Sequence, residues 1–519
     1  MIDTRIIKPI IVSVSAAAFT WIAASQANAG AWGAVEEWEP LWLESGADPE
    51  KATGRIFTVE TPAEIRRTMA NDAEPGDVLI MANGIWEDAE IAFEGKGTAE
   101  APIVLRAETP GEVILSGKSR IRIGGEHLVV DGLLFRDGYL ESGAVVEFRT
   151  SQHGEARHCR FTNSAILEYN PPEDGVSYHW IGLHGHRNRV DHNRFRGQDH
   201  PGRMITTYID EEPNYHRIDN NHFGPRTTRD EALRRSGGAI IMIGHSFTSM
   251  NDSRTLVERN LFEHCSGHGE IISNKSNENV HRHNTFIESR GALTLRHGDR
   301  CVVEGNWFFG NGEPGTGGVR VVNSGHLVVN NYFDGLTGRG WTPPFGIMNG
   351  QEDPEVHEYF QSHDTTVVFN TFVDCVRPVI LGLGAERDNL VLPPKNVTFA
   401  NNLIHGGRGP LVELRDELIA PTWKGNLLYG ADPGVEEGDG FRVADPEWVR
   451  ESGGVRRPGD GSAAVRAAEG DFDFVVEDIA GRPRGGSPDV GAWQSGAGEA
   501  VRGPLGPDDV GAAWARARE

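Results

Sequence analysis

The sequence predicts an all-β chain wound into a right-handed, single-stranded parallel β-helix, and three observations carry that prediction. The first is an Asn standing two residues ahead of an apolar position: Asn193/Phe195, Asn221/Phe223, Asn260/Phe262, Asn284/Phe286, Asn306/Phe308, Asn331/Phe333 and Asn370/Phe372, continued by Asn402/Ile404 and Asn426/Leu428. Uninterrupted steps are 24, 22 and 25 residues, from Phe262 through Phe286 and Phe308 to Phe333. That period suits one coil of a solenoid and falls short of a propeller blade, which needs roughly 40 residues or more. In such a coil the apolar side chains stack inward, and each Asn sits at a tight bend where it can bond its copies above and below. The second observation is a series of short apolar runs, Val78–Met81, Ile103–Leu105, Val113–Leu115 and Leu128–Val130, each bounded by Gly, Pro or charged turns. The third is 65 Gly in 519 residues, which disfavours long helices.

The elements follow in chain order. Arg5 and Lys8 precede an apolar run from Ile10 to Ala24, and Ala27-Asn28-Ala29 offers a small-x-small cleavage site, so residues 1–29 read as a signal peptide and the protein as exported, periplasmic or secreted. The run is interrupted by Ser13, Ser15 and Thr20 and is short for a bilayer span. After a Trp-rich lead (Trp32, Trp38, Trp42), Thr61-Pro62-Ala63-Glu64 marks a helix start, with Thr as cap, Pro at the first position and Glu closing a capping box. This helix, to about Ala70, is expected to cover the N-terminal end of a solenoid domain spanning 30–493. Asp471–Phe474 and Pro488–Trp493 read as the last ordered coil, and 494–519 as a mobile tail.

Composition narrows the function classes. Lys+Arg 50 against Asp+Glu 75 gives a net charge of -25, which argues against nucleic acid and against a polybasic membrane surface. An anionic ligand would need a local basic groove. Cys159, Cys265, Cys301 and Cys375 lack metal-site spacing and read as buried apolar residues.

The densest chemistry lies in His268-Gly269-Glu270-Ile271-Ile272-Ser273-Asn274-Lys275-Ser276 and, one coil later, Leu295-Arg296-His297-Gly298. Lys275 and Arg296 are 21 residues apart, so a parallel β-helix sets them on neighbouring rungs of one face, roughly 4.8 Å apart in the stacking direction. Two like charges that close ask for an anion between them. Arg320, 24 residues on, extends the strip, and Glu270 is placed to pair with Lys275 and orient it. The plainer reading makes these residues solvated rungs of an acidic solenoid. His281-Arg282-His283 offers too few ligands for zinc and reads as surface or turn histidines. Val190-Asp191-His192 is matched in the next repeat by Ile218-Asp219-Asn220 and reads as coil architecture.

The two cationic segments, with Pro75-Gly76-Asp77, Gly95–Thr98, Pro102–Ala107 and Val130–Leu133, resemble polysaccharide lyase family 6, the group of alginate lyases and chondroitinase B, over about residues 56 to 380. The resemblance implies β-elimination at a uronic acid: a base removes the C5 proton beside the carboxylate, and the glycosidic oxygen at C4 leaves. Lys275 fits the base, because a second cation and partial desolvation leave some of a lysine neutral. Arg296 stays charged and suits neutralising the carboxylate or assisting the leaving oxygen. Glu270, His268, His297, Arg320 and His326 are the expected substrate-binding residues, and the insert from Gly340 to His363, with Trp341, Phe345 and Tyr359, an expected groove wall.

Family members that use calcium hold it with an Asn and a Glu-x-Glu pair. Here the first Glu is His268, and the expected Asn region, Ser236-Gly237-Gly238, has none. A hard cation wants several oxygen ligands, so no metal site and no cofactor is expected, and the neutralising falls chiefly to Arg296, with His268 either protonated beside it or only filling the vacated metal position. The expected partner is an anionic polysaccharide, alginate ahead of dermatan sulfate, with oligomeric state left open. A polygalacturonase-type hydrolase would need clustered carboxylates that the chain lacks outside Asp508-Asp509, and a non-catalytic polysaccharide-binding solenoid is the other alternative.

Overall fold

In a computed structural model that describes residues 35–226, 238–266, 269–451, 453–496 and 498–518, the chain winds as a three-sided parallel β-helix. Successive strands visit three long sheets in rotation, and each sheet runs to fourteen strands among the described residues. We call them sheet A (from Ile56–Val59 to Thr422–Lys424), sheet B (from Gly84–Glu87 to Phe441–Val443) and sheet C, which carries Glu270–Lys275, Gly291–His297 and Thr316–Val321. The expected signal peptide lies outside the described residues. No helix among the described residues is long and apolar enough to cross a membrane.

The Asn recurrence is a continuous buried ladder. Each side-chain amide donates to the next Asn Oδ1, from Asn193 to Asn221 (3.1 Å) through Asn284 to Asn306 (3.0 Å) and on to Asn402 and Asn426 (3.1 Å), and each backbone N–H donates to the same oxygen. The residue before each ladder Asn turns the corner in the left-handed region, as at His192 (φ 52°) and Phe369 (φ 57°). Two residues on, the rings stack coil on coil: Phe262 on Phe286 at 4.6 Å, Phe286 on Phe308 at 4.5 Å, Phe333 on Phe372 at 4.5 Å. The core is therefore a column of repeated contacts, and inserts leave the helix at its corners.

Both ends of the chain differ in part from expectation. The N-terminal helix is Pro62–Asn71, with Thr61 Oγ1 accepting from Glu64 N–H (3.2 Å). Glu64 closes back onto the N–H of Glu60, one residue before the cap. Residues 471–493 are not a last coil. Phe472, Phe474 and Val475 join the apolar cluster along the outer face of sheet A that also holds Trp38 and Trp42, with Phe472 against the Phe369 ring at 6.1 Å, while Ile479 and Ala492 pack on Trp307 and Tyr332 of sheet B. Of the segment 494–519, expected to be mobile, the described residues 498–518 run back along sheet B instead. Leu505 N–H donates to Thr285 Oγ1, Gly511 N–H to the Asn220 carbonyl, and Trp514 Nε1 to the Asn163 carbonyl (2.8, 2.8 and 2.9 Å). The physical reason is that the outer strand faces carry apolar rows, Leu134–Ala165 and Leu261 among them, which Val510, Ala512, Ala515 and Leu505 cover.

The four cysteines are free and buried, with burial pushing each thiol up to about 12. Asp191 accepts from Arg160 and His192 inside the wall, as coil architecture requires. His281 departs from its expected surface position: it is fully buried, with Nε2 donating to Asn274 Oδ1 at 3.1 Å.

Candidate active site

The candidate site lies on the outer face of sheet C, where one irregularity in register sets its geometry. Ser273 pairs with Thr294 and Asn274 with Leu295, but Lys275 pairs with His297. Arg296 is therefore the extra residue of a bulge opposite Lys275, on the adjacent strand of the same sheet. Asn274 holds this bulge from inside. It is fully buried, and its amide donates to the carbonyls of Ser276 (2.9 Å) and His297 (3.1 Å), one on each strand. Gly298 closes the turn at φ 85°, and a Cβ there would meet Ser276 at 2.2 Å. The SNK and RHG segments are thus two halves of one clamp.

Lys275 is half-buried and donates from Nζ to Ser246 Oγ (3.2 Å). Burial lowers its pKa, Arg296 and Arg203 lower it further, and Glu270 opposes them. Arg296 lies with its guanidinium 3.9 Å from the centre of the Tyr359 ring, and its pKa is drawn down chiefly by burial. His297 is buried with Nδ1 3.4 Å from Arg296 Nη1; burial, then Arg296 and Lys275, push its pKa down to about 2, so it is a neutral imidazole.

Three expected residues stand differently. Glu270 is bonded to Arg320 Nη2 (2.6 Å) and accepts from the Ser273 hydroxyl (2.6 Å), so it reaches Lys275 through its field and not as the orienting partner foreseen. Arg320 does not extend the Lys275–Arg296 row. It is 5% exposed, aligns with Thr294 two residues earlier, and is spent on Glu270 and the Trp341 carbonyl (3.0 Å). His326 is fully buried, with Nε2 donating to the Val322 carbonyl (2.8 Å) and Nδ1 accepting from Cys301 N–H, so it cannot touch a sugar. His268 lies outside the described residues.

The insert places Trp341 and Tyr359 beside the site, their rings 6.0 Å apart. Phe345, expected on that wall, points into the core, because its strand Phe345–Met348 is an inner rung of sheet C. Sequence reasoning missed four residues. Arg203 sits in an irregular connection and Ser246 opens the 3-10 turn Ser246–Thr248, neither with a motif, and Tyr208 and His245 are adjacent rings, the second within the field of Lys275. Position in the next coil was the one signal for those rings.

A calcium ion here would use Glu270, yet both oxygens of that carboxylate are engaged and a guanidinium stands 2.6 Å from one of them. Of the other expected ligand positions, His268 and residues 236–237 lie outside the described residues. What the described residues do form is a cationic patch in a chain of net charge -25: Lys275, Arg296, Arg203 and Arg320 around one carboxylate. Such a patch attracts an anion and lowers the pKa of the amine within it.

A family model described as Chondroitinase B matches residues 59–436. Among solved structures, the PL6 family alginate lyase AlyGC is 35% identical with a TM-score of 0.77, over 88% of this chain and 58% of that one. A mannuronic acid specific polysaccharide family 6 lyase enzyme from human gut microbiota is 31% identical with a TM-score of 0.67, over 76% of this chain and 91% of that one. The PL6 family polysaccharide lyase Pedsa3628 from Pseudopedobacter saltans, 24% identical with a TM-score of 0.65 over 88% and 99%, shares the fold. The chain thus spans 58% of the length of AlyGC. No curated protein matches the chain.

Proposed function

The chain belongs to polysaccharide lyase family 6, the chondroitinase B family, and from that premise we propose that it cleaves a uronate polysaccharide, alginate first, by β-elimination with Lys275 as base. The observation that carries the reading is the bulge that sets Arg296 against a desolvated Lys275 on one face of sheet C.

The reaction divides between the two side chains. The C5 proton is weakly acidic and its neighbouring carboxylate repels the electron pair left behind, so the carboxylate has to be neutralised before the proton can leave. Arg296, held against Tyr359, supplies a fixed guanidinium for that purpose. The neutral Lys275 amine takes the proton; the C5–H pair becomes the C4–C5 double bond, and the C4–O bond breaks with its pair on the leaving oxygen. That oxygen is protonated by the Lys275 ammonium just formed, while Arg296 assists it as a hydrogen-bond donor. His297, neutral beside both, adds no competing charge. Arg320 holds Glu270, and Glu270 tempers the repulsion among the cations.

The reaction runs without calcium in this reading, and the protein acts after export, directed by residues 1–29. The alginate assignment rests on the relatives: AlyGC is an alginate lyase by name. The test is a panel of alginate, dermatan sulfate and polygalacturonate incubated with the protein at 25 °C, with and without chelator. Ultraviolet absorbance growing with alginate in both conditions is the expected result. New reducing ends without absorbance would mean hydrolysis, binding alone would mean a non-catalytic solenoid, and absorbance lost with chelator and restored by calcium would refute the metal-free account.

A further inference from the structure

Two coils from Lys275 toward the N-terminus, three groups converge that the lyase reading does not use. Glu155 lies in the strand Gly154–Arg157, His186 follows the strand His179–Leu183 by three residues, and Asp210 follows Ile205–Thr207 by three. They sit on three consecutive coils and bring a carboxylate oxygen, an imidazole nitrogen and a second carboxylate oxygen within 4.8 Å of one another.

The electrostatics of this cluster are unbalanced. His186 is 7% exposed, and its Nδ1 lies 3.3 Å from the Pro213 carbonyl, which it can meet only as an N–H donor. In the neutral ring Nε2 is then a lone pair, and it faces Asp210 Oδ2 at 3.3 Å. Asp210 is held there, since its Oδ1 accepts from Glu212 N–H (2.9 Å). Among the described residues no Lys or Arg reaches ion-pair distance of Glu155 or Asp210; their charged-group neighbours are His184 and His186. Two carboxylates converge on a single imidazole, so the cluster carries net negative charge in either protonation state of the ring, and a divalent cation would balance it.

A second buried imidazole lies beside the cluster, outside the three ligands, with its Nδ1 toward Glu155 and its unpartnered Nε2 toward Glu147. His184 is 4% exposed, with Nδ1 3.8 Å from Glu155 Oε1 and Nε2 3.7 Å from Glu147 Oε1, and its Nε2 has no hydrogen-bond partner. A ring in that position is fixed by stacking: it lies on Tyr208 at 4.0 Å, and Tyr208 meets His245 at 5.4 Å. These rings thus run from beside the cluster to His245, which lies within the field of Lys275.

We infer that Glu155, His186 and Asp210 form a divalent-metal site, suited to zinc or a similar transition ion, that clamps three successive coils beside the substrate groove. One imidazole nitrogen and two carboxylate oxygens, with an open fourth position, match a zinc donor set and not the all-oxygen cage of calcium. Tetrahedral ligands about 2.0–2.2 Å from zinc stand roughly 3.4 Å apart, and His186 Nε2 to Asp210 Oδ2 already has that spacing. Donation from Nδ1 to a backbone carbonyl is the usual support of a ligating histidine.

The test uses the whole protein, stripped with chelator and titrated with Zn2+, Mn2+, Mg2+ or Ca2+ by calorimetry, with the unfolding midpoint followed in parallel. One Zn2+ per chain, a raised midpoint and no response to equal Mg2+ or Ca2+ are expected. Cobalt(II) in the same place should show the visible band of a tetrahedral site. His186→Ala and Asp210→Asn should each weaken Zn2+ more than about tenfold, and His264→Ala, an exposed imidazole beside Glu288, should not. Asp210 is half-exposed, so its variant keeps the test readable if His186→Ala folds poorly. Absence of Zn2+ binding in the stripped protein, or binding unchanged in both variants, overturns the inference.

Discussion

At the scale of the residue, the account turns on the protonation of Lys275. Burial and the charges of Arg296 and Arg203 lower its pKa, with Glu270 opposing, and the base must be neutral to accept a proton. kcat/KM should therefore rise with pH through a midpoint below that of a free lysine, about 10.4. Arg203→Ala removes one of the cations that depress Lys275, so the rising limb should move to higher pH while the chemistry survives at alkaline pH. A profile that does not move would show that Arg203 acts only on structure. Lys275→Ala should lower the elimination rate by about 10²–10⁴-fold, with circular dichroism unchanged because the side chain fills no core space. The types of these residues were legible in the chain, since Lys275 and Arg296 stand nearly one coil apart. The partner of Glu270 was not. Arg320 reaches it because the coil steps differ in length, and side-chain reach across a register shift has no trace in spacing alone.

At the scale of the element, the ladder and the bulge do separate work. The ladder was readable because every coil repeats it, whereas the bulge occurs once and could be found only after the strands were paired. Removing Asn306 leaves the N–H and the amide of Asn284 without their acceptor inside the core. Two stranded donors at about 1–3 kcal/mol each predict that Asn306→Ala destabilises by about 2–6 kcal/mol, seen as a lower denaturation midpoint. Equal stability would mean that the ladder is decoration on a core held by its Phe column. Asn274→Ala should act on both counts: it frees the two carbonyls that span the bulge and strands the donors of Asn279 and His281, so kcat and the denaturation midpoint should fall together. The inward turn of Phe345 and His326 shows the limit of reading from composition, because an aromatic or imidazole in an insert looks the same whether the pleat turns it to the core or to the groove.

At the scale of the molecule, the chain is a solenoid with its own C-terminal segment laid along sheet B, away from the groove on sheet C. That path was illegible because the segment is rich in Gly, Ala and charge, and the residues that meet the apolar rows, Leu505, Val510, Ala512, Trp514 and Ala515, form no strand or long helix pattern. Ending the chain at Gln494 should cost on the order of 3–6 kcal/mol for the exposed Leu505 and Val510, read as faster thermal inactivation, with kcat/KM on alginate unchanged. The contacts that the cationic patch offers a polyanion are ionic and salt screens them, so KM should rise with ionic strength. The most direct measurement is ultraviolet absorbance during incubation with alginate, comparing the unaltered protein with Lys275→Ala in chelator. Growing absorbance from the first and none from the second is what two facing cations on one ribbon should produce; absorbance from both, or from neither, would contradict it.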